Sequence, residues 1–238
     1  VTGMTIMRLL GPNARIASGA VRLDGENLLV LTERQMREVR GRRIAMVFQN
    51  AKASLNPIRR VGDTLVDILH AHDRTGISRR GAREKIVAIM AQIGIAQPDK
   101  RAENYPSELS GGMCQRIAIA AALACEPEMI IADEPTSALD VTTQQLVMDM
   151  LISACRERGV AVIFITHDLA LASEYCDNGI VMNTGRILER GPAKTIFTSP
   201  THPYTRALLD ALPYGKASAS ELRPMTGDFS AGAAEVIE

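Results

Sequence analysis

The residues best placed to do chemistry sit at the ends of apolar runs. Met129-Ile130-Ile131-Ala132 leads directly into Asp133 and Glu134. A strand ending in two acids delivers carboxylates at its exit, away from a buried sheet. That placement suits phosphoryl transfer: the first acid holds Mg2+, directly or through water, and the second polarises an attacking water. An Asp-Glu-Pro turn after a core strand would carry the same residues. Leu109-Ser110-Gly111-Gly112-Met113 precedes a helix rich in Ala and Ile. Ser110 is a good N-cap, and two glycines let backbone N–H groups approach an anion at the helix N-terminus. An ordinary Ser-Gly helix start is the plainer alternative. The position of this segment, one helix and one strand before Asp133, ties the two features together.

Two further side chains stand at strand ends. Gln49 follows Arg43-Ile44-Ala45-Met46-Val47-Phe48, a mostly buried strand, and precedes a helical stretch. A strand-end amide can touch a cation or a water on one side and move with the helices on the other. His167 follows the apolar run Ile163-Phe164-Ile165-Thr166, where an imidazole could contact a transferred phosphate or position water. A lone His at a strand end is more often structural, so its weight comes from Asp133 and Glu134 on the preceding strand.

The elements that must position these groups are legible in outline. Ile6, Met7, Leu9 and Leu10 predict the end of a helix closed by Gly11-Pro12. Val21–Gly25 alternates and runs into an Asp-Gly turn, a hairpin signal. Thr32 and Gln35 have the spacing of a capping box. From Val61 to about Ala124 one helix follows another, with Val61, Leu65, Ile68 and Leu69, then Ile86, Ile89, Met90 and Ile93, at helical spacing. After Pro127 the chain alternates: strand Glu128–Ala132, helix Val141–Arg158, strand Val160–Ile165, helix Asp168–Cys176. Two apolar strands bracketing a helix predict a parallel unit buried on both faces. A hairpin turning at Thr184-Gly185 follows, and a tail past Leu212, rich in Ala, Ser, Gly and Glu, is expected to be loosely ordered.

Composition narrows the function classes. The 238 residues carry 27 basic and 27 acidic side chains, which argues against a polyelectrolyte partner such as nucleic acid. Aromatics are 3% with no Trp, too few for a base-stacking platform. The four cysteines, Cys114, Cys125, Cys155 and Cys176, have no CxxC spacing and read as free thiols of a reducing compartment. The longest apolar runs, Ile117–Cys125 and Val160–Ile165, fall short of the ~18–20 residues of a membrane span. No signal peptide is visible.

In chain order, Gln49, Ser110–Gly112, Asp133-Glu134, Ser137-Ala138-Leu139-Asp140 and His167 resemble the ATP-binding subunit of ABC transporters, over essentially residues 1–212. They are similar to that family's Q-loop, signature motif, Walker B motif with catalytic glutamate, D-loop and switch histidine. The resemblance implies an α/β fold, a P-loop NTPase core with a parallel sheet and an all-helical insert. It divides the chain into 1–53 (partial ATPase core), 54–124 (helical subdomain), 125–198 (ATPase core) and 199–238 (C-terminal extension). It implies catalytic roles for Glu134, His167 and Gln49, and Mg2+ contacts for Asp133 and Gln49. Ser110, Gly111, Gly112 and Asp140 would touch the nucleotide, with ATP and Mg2+ as cofactors.

Met46–Gln49 with Ser54-Leu55-Asn56-Pro57, and His202-Pro203-Tyr204-Thr205-Arg206-Ala207-Leu208-Leu209, resemble the dipeptide/oligopeptide/nickel importer branch. The second segment also reads simply as a helix start with Leu208 and Leu209 packing on the core. The branch implies a peptide importer, with nickel as the alternative. Met113, where many ABC proteins have Gln, is similar to one of that branch's paired ATPases. The implied partners are a second ATPase subunit (heterodimer, or homodimer as the alternative), two membrane permeases and, indirectly, an external binding protein. No nucleic acid is implied. The implied location is peripheral, on the cytoplasmic face of the inner membrane. The cysteine-containing extension of longer members has no counterpart after Cys176, so no cluster site is expected.

One part of the pattern is missing. The 238 residues contain no GxxxxGK[ST] segment, and none of Lys52, Lys85, Lys100, Lys194 and Lys216 follows a Gly-rich run. In the resembling family Val1–Met7 would come directly after the P-loop Lys-Ser. The expectation is therefore an N-terminally truncated subunit, lacking its first strand and P-loop. Each charge-assisted phosphate contact so lost is worth ~1.5–3 kcal/mol. Two other readings remain: a non-catalytic remnant that binds ATP poorly, and an ABC-type ATPase acting on ribosomes or DNA. The latter usually carries two ATPase halves or a long coiled-coil insertion, and neither is present.

Overall fold

A computed structural model describes residues 1–137 and 139–211 of the chain. The tail past Leu212 lies outside the described residues, as does Ala138. The chain falls into two compact units, Val1–Ile165 and the part from Thr166 onward.

The first unit opens with α1 (Thr2–Ile6). The apolar run up to Leu10 predicts a longer helix, but the chain leaves the helix through a local left-handed cap: the Leu9 N–H donates to the Met4 carbonyl at 2.8 Å and the Arg8 N–H to that of Thr5 at 3.0 Å. Arg40 Nε donates to the Met7 carbonyl at 2.9 Å and Arg40 Nη2 to that of Arg8 at 3.3 Å, while Arg8 itself turns to φ +51°. β1 (Arg22–Leu23) and β2 (Glu26–Asn27) form the expected hairpin. Asp24 and Gly25, at φ +48° and +82°, give the two left-handed positions that a tight two-residue turn needs. α2 (Glu33–Val39) starts with the capping box: the Gln35 N–H donates to Thr32 Oγ1 at 3.3 Å, and the Thr32 N–H to Gln35 Oε1 at 2.8 Å.

β3 (Ile44–Val47) follows, then α3 (Ala51–Ser54), α4 (Val61–His72), α5 (Arg79–Gln92), α6 (Pro98–Ala102) and α7 (Gly111–Ala124). β4 (Met129–Asp133), α8 (Val141–Arg158) and β5 (Ala161–Ile165) complete the unit. The three strands form a parallel sheet in the order β3-β4-β5. Parallel neighbours require long crossovers: α3 to α7 make the first and α8 the second.

Burial explains why these elements hold. α7 packs against α3, α4, α5, α8 and β3, and Ile117, Ile119, Ala120 and Leu123 are fully buried. Its Ala and Ile therefore face neighbours on nearly every side. Burying one such Ile or Leu stabilises the fold by about 1.5–3 kcal/mol. α4 and α5 pack against each other as well as against α7, and Leu65, Ile86, Met90 and Ile93 are fully buried. A second cluster, with Met7, Leu23, Leu28, Met36 and Val39, covers one face of the sheet at Ile44 and Ile131.

The expectation of two strands buried on both faces holds for β4 and fails for β5. Ile130, Ile131 and Ala132 are fully buried, whereas Val162–Ile165 are half-exposed and Ala161 is exposed. Among the described residues β5 pairs with β4 on one side only, so it is an end strand.

The second unit contains α9 (Leu169–Tyr175), β6 (Asn178–Asn183), β7 (Arg186–Pro192), α10 (Ala193–Thr198) and α11 (Pro203–Asp210). β6 and β7 are antiparallel and turn at Thr184-Gly185. His202 caps α11, with Nδ1 accepting from the Tyr204 N–H at 3.1 Å, and Pro203 fills the first helical position. Leu208 and Leu209 are half-buried, while Thr205 is the buried residue of this helix. Among the described residues no helix is long and apolar enough to cross a membrane.

Candidate functional site

The sheet register brings the first pair of site residues together. Val47 of β3 lies opposite Ala132 of β4. Two residues further along each chain, Gln49 Nε2 donates to Glu134 Oε2 at 2.6 Å. Asp133 is the last residue of β4, paired with Ile165 of β5. Glu134 then leaves the strand at φ +46°. A non-glycine residue held in this left-handed region costs about 1–3 kcal/mol. Local bonds hold it there: its N–H donates to the Ile165 carbonyl at 2.8 Å, and its carbonyl accepts from the Ser137 N–H at 3.3 Å and Ser137 Oγ at 3.2 Å.

The turn from Glu134 to Asp140 is braced from below by residues that the sequence does not single out. Thr136 is buried. Its carbonyl accepts from Gln144 Nε2 at 3.2 Å and from the Leu139 N–H at 3.0 Å. Thr136 and Gln144 meet only because α8 folds back beside the turn, and spacing alone carries no signal of that. Asp140 is the N-cap of α8, its Oδ1 accepting from the Thr143 N–H at 3.0 Å. The Thr143 hydroxyl, then the Thr143 amide, hold the Asp140 carboxyl below the usual carboxylate range. Asn50, directly after Gln49, caps α3 by accepting from the Ala53 N–H at 3.0 Å. An Asn just before a short Ala-rich segment was the available signal for it.

Ser110 caps α7, with Oγ accepting from the Met113 N–H at 3.3 Å. A side chain at Gly111 would meet no atom within 4 Å, so that face of the helix end is open. At Gly112 a Cβ would stand 3.0 Å from Thr143 Cγ2 and 3.8 Å from Leu139 Cδ2. The Ser110 loop therefore backs onto the turn that carries Asp140. Cys114, in the first turn of α7, is buried with Sγ 3.6 Å from the Pro106 carbonyl, and burial pushes its thiol up. That is a structural thiol, not a reactive one.

The structure thus joins Gln49 to Glu134, and Gly112 to the loop of Asp140. His167 belongs to the second unit, where it is exposed. It lies between Thr166, whose Oγ1 accepts from the Asp168 N–H at 2.9 Å, and Asp168, which caps α9.

The donor set at the ends of β3 and β4 is all oxygen: two carboxylates and an amide. It suits a hard cation such as Mg2+, which binds through one or two carboxylates together with waters and substrate phosphates.

Residues 4–137, more than half of the chain, match the family model described as ABC transporter. The chain belongs to the ABC transporter family. That match includes Gln49, Ser110–Gly112, Asp133 and Glu134; Asp140 and His167 lie beyond it. Residues 188–233 match a second model, described as the oligopeptide/dipeptide transporter C-terminal region, and this match includes the His202 cap of α11. This ABC family member is 49% identical over 214 residues to the probable peptide ABC transporter ATP-binding protein y4tR of Sinorhizobium fredii, covering 90% of this chain and 63% of that protein. It is 41% identical over 228 residues to the dipeptide transport ATP-binding protein DppD of Bacillus subtilis, covering 95% of this chain and 68% of that one. Against the oligopeptide transport ATP-binding protein OppD of Salmonella typhimurium it is 41% identical over 227 residues, covering 95% and 67%. The chain thus spans less than two thirds of the length of the first of these relatives. A solved dimeric structure of the ATP-binding cassette MJ0796, in a post-hydrolysis state bound to ADP and Pi, superposes with a TM-score of 0.70 at 27% identity over 81% of both chains. The fold is that of an ABC ATPase cassette, an α/β P-loop NTPase.

Proposed function

We propose that the chain is the ATP-hydrolysing motor subunit of an ABC importer for peptides. The observation that carries this reading is the 2.6 Å bond between Gln49 and Glu134, at the adjacent C-terminal ends of β3 and β4. In this reading Glu134 orients and polarises the attacking water, and Asp133 holds Mg2+, whose contribution when bound is to neutralise phosphate charge. Gln49 sits between that site and the helices that follow it, so it reports on occupancy of the site. Ser110, Gly111 and Gly112 turn open amides of α7 toward the nucleotide held by a second ATPase subunit, with Asp140 alongside. His167 supports the terminal phosphate.

Residues 54–124 then form a helical subdomain between core segments 1–53 and 125–198, with 199–238 as a C-terminal extension. The working assembly is two ATPase subunits on two membrane permeases, at the cytoplasmic face of the inner membrane, with an external binding protein selecting the substrate. Peptide as substrate is supported by the printed names of the relatives and by the C-terminal match around His202. The test is co-purification with two membrane permeases, followed by ATP turnover of the assembly. Turnover that survives Glu134→Gln would overturn the reading.

A further inference from the structure

The segment that leaves Gln49 and the segment that enters Ser110 are fastened to each other within the first unit. From Gln49 the chain runs through α3 to Arg60, the N-cap of α4. From the end of α6 it runs through Glu103, Asn104 and Tyr105 toward Ser110. Between these runs the Val61 N–H donates to the Asn104 carbonyl at 2.9 Å. Arg60 Nη1 binds Glu103 Oε2, and Arg83 Nη2 binds Glu103 Oε1. Tyr105, then Glu103, hold the Arg60 guanidinium above its ordinary pKa. Gly62 lets α4 lie directly on α6, since a Cβ there would fall 2.7 Å from Ala102 Cβ and 2.8 Å from the Ala102 carbonyl.

The stretch beyond Glu103 is itself stiff. Glu108 Oε2 accepts from the Tyr105 N–H at 2.6 Å and from Asn104 Nδ2 at 3.3 Å. Leu109 is buried, and Ser110 caps α7. An exposed ion pair adds little stability by itself. Here two guanidiniums share one carboxylate beside a backbone hydrogen bond and a glycine contact, so what the network fixes is geometry.

We propose that Glu103 is a positioning residue: clamped by Arg60 and Arg83, it locks the Ser110–Gly112 amides to the segment that begins at Gln49, so that displacement of one is carried to the other. This rests on the proposed reading of Ser110–Gly112 as the nucleotide-facing end of α7. It assigns Glu103 a part in timing that end against Gln49, without contact to nucleotide.

The test is residue-resolved amide exchange on the full chain without nucleotide, comparing the wild type with Glu103→Ala, Arg60→Ala, the double variant and Arg60→Lys. Either alanine variant raises exchange at Val61, Tyr105, Glu108 and Met113 by about fivefold or more, and the double variant adds nothing further. Arg60→Lys restores most of the protection, and amides of Ile117–Leu123 keep wild-type rates. Unchanged exchange at Tyr105–Met113, additive effects, or a uniform rise through α4–α7 would each overturn the proposal. Because no nucleotide is present, this result is independent of the ATPase reading, which fails separately if the assembled transporter turns over ATP with Glu134→Gln.

Discussion

Gln49 and Glu134, 85 positions apart, share a 2.6 Å hydrogen bond because each lies two residues beyond the register pair Val47 and Ala132. With Gln49 in place, one oxygen of the Glu134 carboxylate is engaged by an amide donor. The amide fixes the direction of the carboxylate, which has further lone pairs with which to accept from a water.

This makes the two residues separable by kinetics. In the assembled transporter Glu134→Gln lowers kcat for ATP by about 10²–10⁴-fold, the usual contribution of a general base, with little change in KM. Gln49→Ala, which removes this amide contact, lowers kcat far less and weakens the coupling of turnover to substrate. Phosphate release with and without transport substrate measures both effects.

The 238 residues on their own, with no phosphate-binding loop supplied from any further part of the protein or from the assembly, are expected to bind ATP weakly, with Kd above about 100 μM, and to hydrolyse none measurably. Without a GK[ST] lysine and its Gly-rich loop in these residues, several charge-assisted phosphate contacts are absent. Each is worth ~1.5–3 kcal/mol, roughly tenfold or more in affinity. Isothermal titration with Mg2+-ATP checks this, and micromolar binding with turnover lost on Glu134→Gln would refute it.

Gly111 and Gly112 should respond oppositely to substitution. Gly111→Ala enters open space and leaves stability unchanged or slightly raised, since Ala is the better helix former. Gly112→Val drives a branched side chain against Thr143 Cγ2, already 3.0 Å from a Cβ there. Overpacking of this kind costs about 1–3 kcal/mol. Urea denaturation of the two variants against the wild type gives the comparison.

His72, the last residue of α4, lies over Gly41, with Nε2 2.5 Å and Cδ2 2.9 Å from where a Gly41 Cβ would be. Burial, then Arg42, hold its imidazole below the ordinary value of 6.5, with Glu38 opposing. The folded state therefore prefers neutral His72, and as pH falls through 6.5 the unfolded chain takes up the proton first. Stability from this group is full above 6.5 and is lost as pH falls from there to the lower folded pKa. His72→Asn should remove that part of the slope of unfolding free energy between pH 7.5 and 5. Gly41→Ala, at φ +81° and against the ring, should destabilise at every pH.

What local chemistry encodes was readable before folding is considered. The Asp24-Gly25 and Thr184-Gly185 turns, the Thr32–Gln35 capping box, the span of α8 and the delivery of Asp133-Glu134 at a strand end each depend on a few adjacent residues. The misses are of two kinds. The predicted helix through Leu10 stops at Ile6 in a left-handed cap at Arg8, a residue type that carries no signal for one, and Arg40, 33 residues on, satisfies the Met7 carbonyl left open there. β5 is apolar along its length and still half-exposed, because burial depends on what lies beside a strand.

The candidate site divides the same way. Which side chains with phosphoryl-transfer chemistry are present, and that each stands at the end of a strand or the start of a helix, is written in the residues and their spacing, since periodicity and capping are short-range properties. That Gln49 touches Glu134, that Gly112 backs onto Thr143 and that Glu103 is held by Arg60 and Arg83 emerges with folding. Those meetings follow from the register of a parallel sheet and from helices packed across crossovers, where contact is set by burial among residues tens of positions apart.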